Sequence, residues 1–337
     1  MALRPELPVD LLKETSRSFY LTLRVLPGKI RPQIGLAYLL ARTTDTIADT
    51  AVLPVERRVN ALENLRDQIL GKAGSPPDFG ELAQDQDWPP ERELLERCGE
   101  VVAMLNGMEP ADQKRVRDVL TTIISGQELD LRRFEGASAE KIVALADDAE
   151  LDDYTYRVAG CVGEFWTKTC RAHLFPQAAL DERSLEMKGV PFGKGLQLVN
   201  ILRDLPVDLR NGRCYLPAKE LSAEGLVPKD LLDPKNEPKF RAFYHRYLAL
   251  AEKHLAAGWD YTNSLPRGCV RVRLACAWPI LIGLATLEKL RTGNVLDPEL
   301  RIKVSRAEVK RLILRSVLAY PFAGRWQKLV SLPAGQP

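Results

Sequence analysis

The stretch AYLLARTTDTIADT, Ala37 to Thr50, is typical of an apolar helix that carries two carboxylates on one face. Asp45 and Asp49 are four residues apart, so on a helix their Cβ atoms are expected roughly 5–6 Å apart. Arg42 lies one turn before Asp45. Two carboxylates held together in apolar surroundings repel each other and are costly to desolvate, which favours a cation between them.

The same spacing recurs far along the chain, where residues 200–208 read NILRDLPVD. A single DxxxD pattern is more often solvent-exposed and without function, but a second copy, Asp204 and Asp208, favours a functional role. Pro206 lies between these two aspartates. Proline removes a backbone donor and clashes with the preceding turn, so we expect the helix to kink or restart near Asp204, with Asp204 as an N-cap.

Composition excludes several classes of protein. The chain has 337 residues, of which 45% are hydrophobic and 28% charged, and this balance is typical of a globular protein. The net charge of +3 is too small to indicate nucleic-acid binding. Six cysteines without a CxxC pair, and only three histidines, predict neither a zinc site nor a disulfide framework, and they favour a reducing, cytoplasmic setting.

No targeting or membrane segment is evident from the sequence. The N-terminal stretch MALRPELPVDLLKE lacks the apolar core of a signal peptide, and no uncharged apolar run approaches the roughly 20 residues of a membrane span. The helix predicted from Ser305 to about Tyr320 has an apolar stripe among lysines and arginines. Such a helix usually packs on its own protein; the alternative is contact with an anionic membrane surface from the cytoplasmic side.

Helical periodicity dominates and strand signals are scarce, which predicts one all-α domain over residues 1–337, a helical bundle with a central apolar cavity. We expect the motifs to lie within residues 15–291 and a C-terminal helix within 305–330. Residues 71–90 and 206–238 are predicted to be irregular. Helices are predicted over about 10–26, 32–51, 55–70, 91–108, 111–134, 151–174, 188–205, 240–263 and 270–291.

Two acidic pairs that face each other across a bundle would line one pocket with hard oxygen ligands. Such ligands suit Mg²⁺, which usually binds one or two carboxylates plus substrate phosphates. Arginines suit phosphate oxygens and stand close to both pairs. They are Arg17, Arg42, Arg203, Arg210 and Arg213. Together these residues indicate a site that ionises a hydrophobic diphosphate.

Five ordered blocks resemble the squalene/phytoene synthase family of head-to-head prenyltransferases. The resemblance runs from about Thr15 to Pro217, and the acidic pattern DTIAD is closer to the squalene synthases. The blocks are SRSF (16–19), Tyr38 with Arg42, DTIAD (45–49), VAGCVGE (158–164) and LQLVNILRDLPVDLRNGRCYLP (196–217). The resemblance implies the isoprenoid synthase fold.

The resemblance also implies roles for individual residues. It implies that Asp45, Asp49, Asp204 and Asp208 hold Mg²⁺, or Mn²⁺ in its place, on substrate diphosphates. Tyr38, Tyr156 and Arg42 are the implied catalytic residues. The implied substrate-binding residues are Ser16, Arg17, Phe19, Arg42, Gln197, Asn200, Arg203 and Arg213. One departure concerns the family's tyrosine before VAG, because that position is Arg157 here and Tyr156 is its neighbour.

The implied reaction joins two farnesyl diphosphates through presqualene diphosphate and reduces the product with NADPH to squalene. Alternatives within the family are dehydrosqualene, hydroxysqualene, presqualene diphosphate or phytoene as product. The chain has no Gly-rich dinucleotide fingerprint, and squalene synthases do not use one. Alternatives outside it are a non-catalytic binding protein on the same fold, and a terpene cyclase, whose second metal motif is not found. No obligate protein partner is evident.

Overall fold

The computed structural model describes residues 8–16, 20–72 and 79–330, and nearly all of its regular structure there is helical. It divides into two compact units. Unit 1 comprises Met1–Glu135 and Phe165–Ala178, and unit 2 comprises Gly136–Glu164 and Ala179–Pro337. The prediction of an all-α fold is confirmed, whereas the single domain and the central cavity stay predictions.

Unit 1 is built around helix α3, which packs against α4 and α8. Its apolar residues Leu36, Leu39, Leu40 and Ile47 are fully buried, so the apolar spacing of the sequence defines the core-facing side of the helix. The helices of the first part of the chain are α1 (Val9–Thr15), α2 (Tyr20–Val25), α3 (Arg31–Asp49), α4 (Val55–Ile69), α5 (Gly80–Gln84), α6 (Pro89–Glu96), α7 (Cys98–Asn106) and α8 (Pro110–Arg133).

Unit 2 is built around α11, which packs along α13, and both helices contact α14. Gly195 on α11 and Gly258 on α13 allow this close packing, because a Cβ at either residue would lie within 3.0 Å of the other helix. The remaining helices of the chain are α9 (Asp148–Thr155), α10 (Cys161–His173), which belongs to unit 1 from Phe165 onwards, α11 (Glu182–Arg210), α12 (Ala218–Ala223), α13 (Glu237–Ser264), α14 (Val270–Thr292), α15 (Arg306–Ala319) and α16 (Ala323–Gln327).

Shorter elements complete unit 2. A π-helix over Tyr156–Gly160 joins α9 to α10, and strands β1 (Val143–Ala144) and β2 (Arg213–Cys214) pair in parallel. Two 3₁₀ turns, Pro228–Leu232 and Pro234–Asn236, precede α13. The segment 206–238 is therefore more regular than predicted, because each of its short elements begins at or next to a proline or pairs with a distant strand.

The helix predicted over 91–108 is divided at Arg97 into α6 and α7. The predicted loop 71–90 contains α5 and the start of α6, while residues 73–78 lie outside the described part of the chain. The first predicted helix is present as α1 and α2, with residues 17–19 outside the described part. These differences concern short helices. Their ends depend on packing against other helices, which the apolar periodicity of the sequence does not indicate.

The sequence predicts that the helix kinks or restarts near Asp204, and of these the restart, with Asp204 as an N-cap, is wrong. Helix α11 is continuous from Glu182 to Arg210, so Asp204 is an interior residue and not an N-cap. Pro206 cannot donate to the carbonyl of Leu202, four residues earlier. The hydroxyl of Tyr244, on α13, donates to that carbonyl over 3.0 Å instead. Tyr244 is fully buried, and burial raises the pKa of its hydroxyl, which therefore remains a donor.

We expect Tyr244→Phe to lower the free energy of unfolding by about 1–3 kcal/mol, since it leaves the buried Leu202 carbonyl without a donor. Pro206→Ala supplies a backbone N–H to the same carbonyl, so Tyr244→Phe should cost less in that background. Chemical denaturation of the two single variants and the double variant measures this coupling. An equal cost of Tyr244→Phe in both backgrounds would contradict the compensation.

Helix α14 is long and apolar enough, by length and composition, to cross a membrane. However, 67% of its most apolar window is buried within the protein, as is common for a core helix. Within the described residues it is the one helix that meets this test.

Candidate active site

Helix α3 carries the first acidic pair at its C-terminal end. Asp49 is the last residue of the helix, and Asp45 lies one turn earlier. The buried hydroxyls of Thr43 and Thr44 donate to carbonyls of their own helix, so they do not compete for the carboxylates. Because the C-terminal end of a helix is the negative end of its dipole, it disfavours negative charge on both carboxylates, in addition to their mutual repulsion.

Two side chains of unit 1, those of Glu91 and Gln127, hold Arg42 and Asp45 in position. The guanidinium of Arg42 pairs with Glu91 of α6, and its Nη1 lies 4.0 Å from Asp45 Oδ2. The amide of Gln127, on α8, donates to Asp45 Oδ1. Buried Gln127 Oε1 and Arg42 Nε have no hydrogen-bond partner among the described residues. Two polar groups beside the Asp45 carboxylate therefore make no hydrogen bond to the described residues.

Burial raises the pKa of Asp45 to about 7, and the negative charge of Asp49 adds to the shift. Arg42 and Gln127 oppose this effect. The Asp45 side chain is itself 49% exposed, so water moderates this shift. The direction means that ionised Asp45 lacks sufficient positive charge around it. For Arg42, burial lowers the pKa, but Glu91 and Asp45 more than offset this, and the net shift is upward.

Helix α11 carries the second acidic pair, also within its last two turns. Arg203 engages both oxygens of Asp204, through Nε at 2.8 Å and Nη2 at 2.5 Å. This hydrogen bonding to Asp204 raises the pKa of Arg203. Asp204 is therefore occupied by its neighbour in this structure, whereas Asp45 accepts a single amide. The two acidic pairs are chemically unlike.

The amides predicted to bind substrate lie on the same helix. Asn200 Nδ2 lies 3.4 Å from Gln197 Oε1, and Gln197 Nε2 lies 3.5 Å from the Tyr154 hydroxyl. The ring of Tyr154 in turn stacks on Tyr215, with centroids 4.7 Å apart. Gln197 and Asn200 are one helical turn apart, so both lie on the side of α11 that continues to Asp204.

Arg213 directly follows a turn that only glycine allows. Gly212 has φ of +77°, and a Cβ there would lie 2.2 Å from the backbone nitrogen of Ser138. Strand β2 then pairs with β1 and fixes the backbone of Arg213 opposite Val143. The last predicted arginine of unit 2 is therefore held on a rigid segment that begins just beyond α11.

Tyr156 stands at the start of the π-helix, and its hydroxyl donates to Glu164 Oε1 over 3.0 Å. Burial raises the pKa of Tyr156 to about 12, and the hydrogen bond to Glu164 adds to the shift. The phenol is therefore a neutral donor in this state. Arg157, at the family's tyrosine position, pairs with Asp153 over 2.8 Å. A π turn inserts one residue relative to an α-helix and is frequent at functional sites.

Tyr38 and Ser16 lie in unit 1. The Tyr38 hydroxyl donates to the carbonyl of Thr15 over 3.2 Å, and the hydroxyl of buried Ser16 donates to Leu12. Arg17 and Phe19 lie outside the described residues. The catalytic and substrate-binding roles of all these residues stay predictions, as does the prediction that the two acidic pairs face one another.

The α3 pair fits a Mg²⁺ ion that keeps much of its water. No group of three or more His, Cys, Asp or Glu side chains suited to a metal converges within residues 8–16, 20–72 and 79–330. Magnesium usually takes one or two carboxylates and completes its shell with water and phosphate. Asp45 has too little positive charge around it, and a Mg²⁺ ion would supply that charge. Asp204 would first have to break its hydrogen bonds with Arg203.

Sequence reasoning missed Glu91, Gln127 and Glu164, which hold Arg42, Asp45 and Tyr156. The signal for Gln127 was a polar residue on the apolar face of α8, where it is buried. Glu164 was present in the VAGCVGE block without a role. Glu91 gave no signal, because a glutamate in the first turn of a helix is ordinary.

The chain thus has an all-α fold with one aspartate pair at the end of α3 and another at the end of α11. The model of the family described as squalene/phytoene synthase matches residues 12–308, and the chain belongs to this family of head-to-head prenyl synthases. Its members act on prenyl diphosphates such as farnesyl or geranylgeranyl diphosphate.

Individual proteins show how far the similarity extends. The presqualene diphosphate synthase of Zymomonas mobilis is 27% identical over 302 residues, 89% of each chain. The bifunctional lycopene cyclase/phytoene synthase of Colletotrichum graminicola is 29% identical over 261 residues, and the match covers 76% of this chain but 41% of that protein. The solved squalene synthase TcSQS, in complex with the ligand E5700, has a TM-score of 0.76 at 22% identity and covers 95% of this chain and 88% of its own. The predicted isoprenoid synthase fold is confirmed.

Proposed function

We propose that this chain is a squalene synthase, which condenses two farnesyl diphosphates through presqualene diphosphate and uses NADPH to reduce the product to squalene. The observation that carries the proposal is the acidic end of α3, where Asp45 and Asp49 lie beside Arg42 and Gln127. A site with excess negative charge and an adjacent guanidinium suits a metal-bound diphosphate.

The chain's own residues would bind and orient the diphosphates. Asp45, Asp49, Asp204 and Asp208 would hold Mg²⁺, which when bound neutralises the negative charge that develops on the leaving diphosphate. Arg42, Arg203 and Arg213 would bind diphosphate oxygens through their planar guanidinium groups. Tyr156 would present its hydroxyl as a donor, since its raised pKa keeps the proton on the phenol.

A second candidate is an enzyme that releases presqualene diphosphate without reduction. The chain matches the Zymomonas protein of that name over nine-tenths of both lengths, which favours this product. Both candidates share the condensation and differ only in the second half of the reaction. No residue of the chain is assigned to NADPH, so the product is the distinguishing observation.

We expect squalene only when farnesyl diphosphate, Mg²⁺ and NADPH are all present, and presqualene diphosphate when NADPH is omitted. Mass analysis of the extracted products of the purified protein measures both. Presqualene diphosphate under both conditions would replace the proposal with the second candidate. Dehydrosqualene without NADPH, hydroxysqualene, or phytoene from geranylgeranyl diphosphate in direct competition with farnesyl diphosphate would contradict both.

A further inference from the structure

Positive charge is concentrated at the C-terminal end of unit 2. Between Arg301 and Val330 the chain has eight lysines and arginines and a single acidic residue, Glu308, whereas the net charge of the whole chain is only +3. The rest of the chain is therefore net negative. Such an asymmetry gives the C-terminal helices a local field that the total charge conceals.

Large apolar side chains lie exposed among these charges. On α15, Leu314 and Leu318 are 60% and 62% exposed, and Phe322, between α15 and α16, is 53% exposed. Arg311, Leu314, Arg315 and Leu318 recur at three- and four-residue spacing, so they share one face of the helix. We call this surface, with Phe322, Arg325 and Lys328, the basic apolar face.

A groove of about 460 Å³ runs through the basic apolar face, between α15 and α16. Its lining is Arg311, Leu314, Arg315, Leu318, Ala319, Arg325, Lys328 and Leu329. Among these described residues there are four cations and no acidic side chain. The groove is thus lined by apolar and positively charged side chains together, and long cationic side chains of this kind can extend towards anions while their stems stay on apolar surface.

Aromatic contacts hold the inner side of the same helices against α13 and α14. Buried Trp326 stacks on Trp259, with centroids 5.0 Å apart, and its indole N–H donates to Asn263 over 2.8 Å. The indole N–H of Trp278 donates to Ser316 over 3.0 Å. The outer face is therefore presented on a rigid support, and its exposed leucines do not result from a loosely attached helix.

We propose that the basic apolar face docks on an anionic lipid bilayer. An apolar stripe that can enter the headgroup region, flanked by lysines and arginines, has the composition that such surfaces bind. A second copy of this chain would place like charges against each other, and a nucleic acid would leave the leucines and the phenylalanine in water. The proposal is independent of which product the enzyme makes.

The test is flotation of the purified full chain with vesicles of phosphatidylcholine containing phosphatidylglycerol, compared with vesicles of phosphatidylcholine alone. We expect binding to the anionic vesicles, weakened by added salt. The double variant Arg311→Glu and Arg315→Glu should weaken binding by at least roughly 25-fold, from the loss of two cations near the surface. The double variant Leu314→Asp and Leu318→Asp should abolish binding to the anionic vesicles.

The matched control reverses two exposed lysines of unit 1, Lys29→Glu and Lys72→Glu, with the same change in net charge, and should leave binding unchanged. Val52→Asp, at a side chain that is 74% exposed, is the apolar control. Thermal melts verify that each variant is folded. Equal binding to both vesicle types, equal loss in the controls, or a dimer that dissociates in Leu314→Asp/Leu318→Asp without any vesicle binding would overturn the proposal.

Discussion

Asp45→Asn should lower kcat for farnesyl diphosphate consumption by about a thousandfold, because it removes a carboxylate that we propose holds Mg²⁺ at the leaving diphosphate. The substitution preserves shape, and an asparagine oxygen can still accept from Gln127. It also removes a charge that Asp49 and the negative end of α3 disfavour. We therefore expect the melting temperature of the variant to stay the same or to rise, so that lost turnover cannot be attributed to unfolding.

A binding measurement separates the metal role from other causes of inactivity. Mg²⁺ added with inorganic diphosphate should raise the melting temperature of the unmodified protein and have a much smaller effect on Asp45→Asn. Asp204→Asn is the matching variant in the second pair and should also lose turnover. Asp118→Asn is the control: that carboxylate is 63% exposed, pairs with Lys114, and should not affect either measurement.

Turnover that survives in both Asp45→Asn and Asp204→Asn would show that the acidic pairs are not the metal ligands. A chain without turnover in unmodified form, but with intact diphosphate binding, would instead support the non-catalytic alternative. The two results are distinguished by turnover, which is present in the variants in the first case and absent even from the unmodified protein in the second.

Long helices with one apolar face could be predicted from the sequence because burial of that face determines them. The prediction over 32–51 agrees with α3 (Arg31–Asp49), and the prediction over 270–291 agrees with α14 (Val270–Thr292). In both, the three- and four-residue spacing of apolar side chains is a local pattern. The position of Asp45 and Asp49 on a single helix was predicted on the same basis.

What could not be predicted depends on residues distant in the chain. Pro206 predicts a kink or restart of the helix near Asp204. The sequence does not reveal that the Leu202 carbonyl receives its donor from Tyr244 on another helix. The hydrogen bonding of Arg203 to the adjacent Asp204 could not be predicted either. It depends on the side-chain conformation of Arg203, which the sequence spacing does not determine. The π-helix likewise depends on its packing against α11. The two elements approach most closely at Gly193 of α11, where there is no room for a Cβ.

Gly193→Ala should lower the free energy of unfolding by about 3 kcal/mol or more, the upper end of the range for overpacked sites. A Cβ at Gly193 would lie 2.1 Å from the carbonyl oxygen of Ala159 and 3.0 Å from Gly160 Cα, both in the π-helix. These are backbone atoms, so no side-chain rotation relieves the clash, and α11 must move away from the segment that carries Tyr156. Chemical denaturation measures the loss.

Gly268→Ala is the matched control, because a Cβ at Gly268 meets no atom within 4 Å and its backbone is not left-handed. It should be neutral or slightly stabilising, since alanine restricts the unfolded chain more than glycine does. The expected difference between the two variants therefore isolates the contact between α11 and the π-helix from the general cost of replacing glycine. Equal stabilities would mean that α11 and the π-helix are further apart in solution, and Tyr156 would then lose the support that positions it beside Glu164.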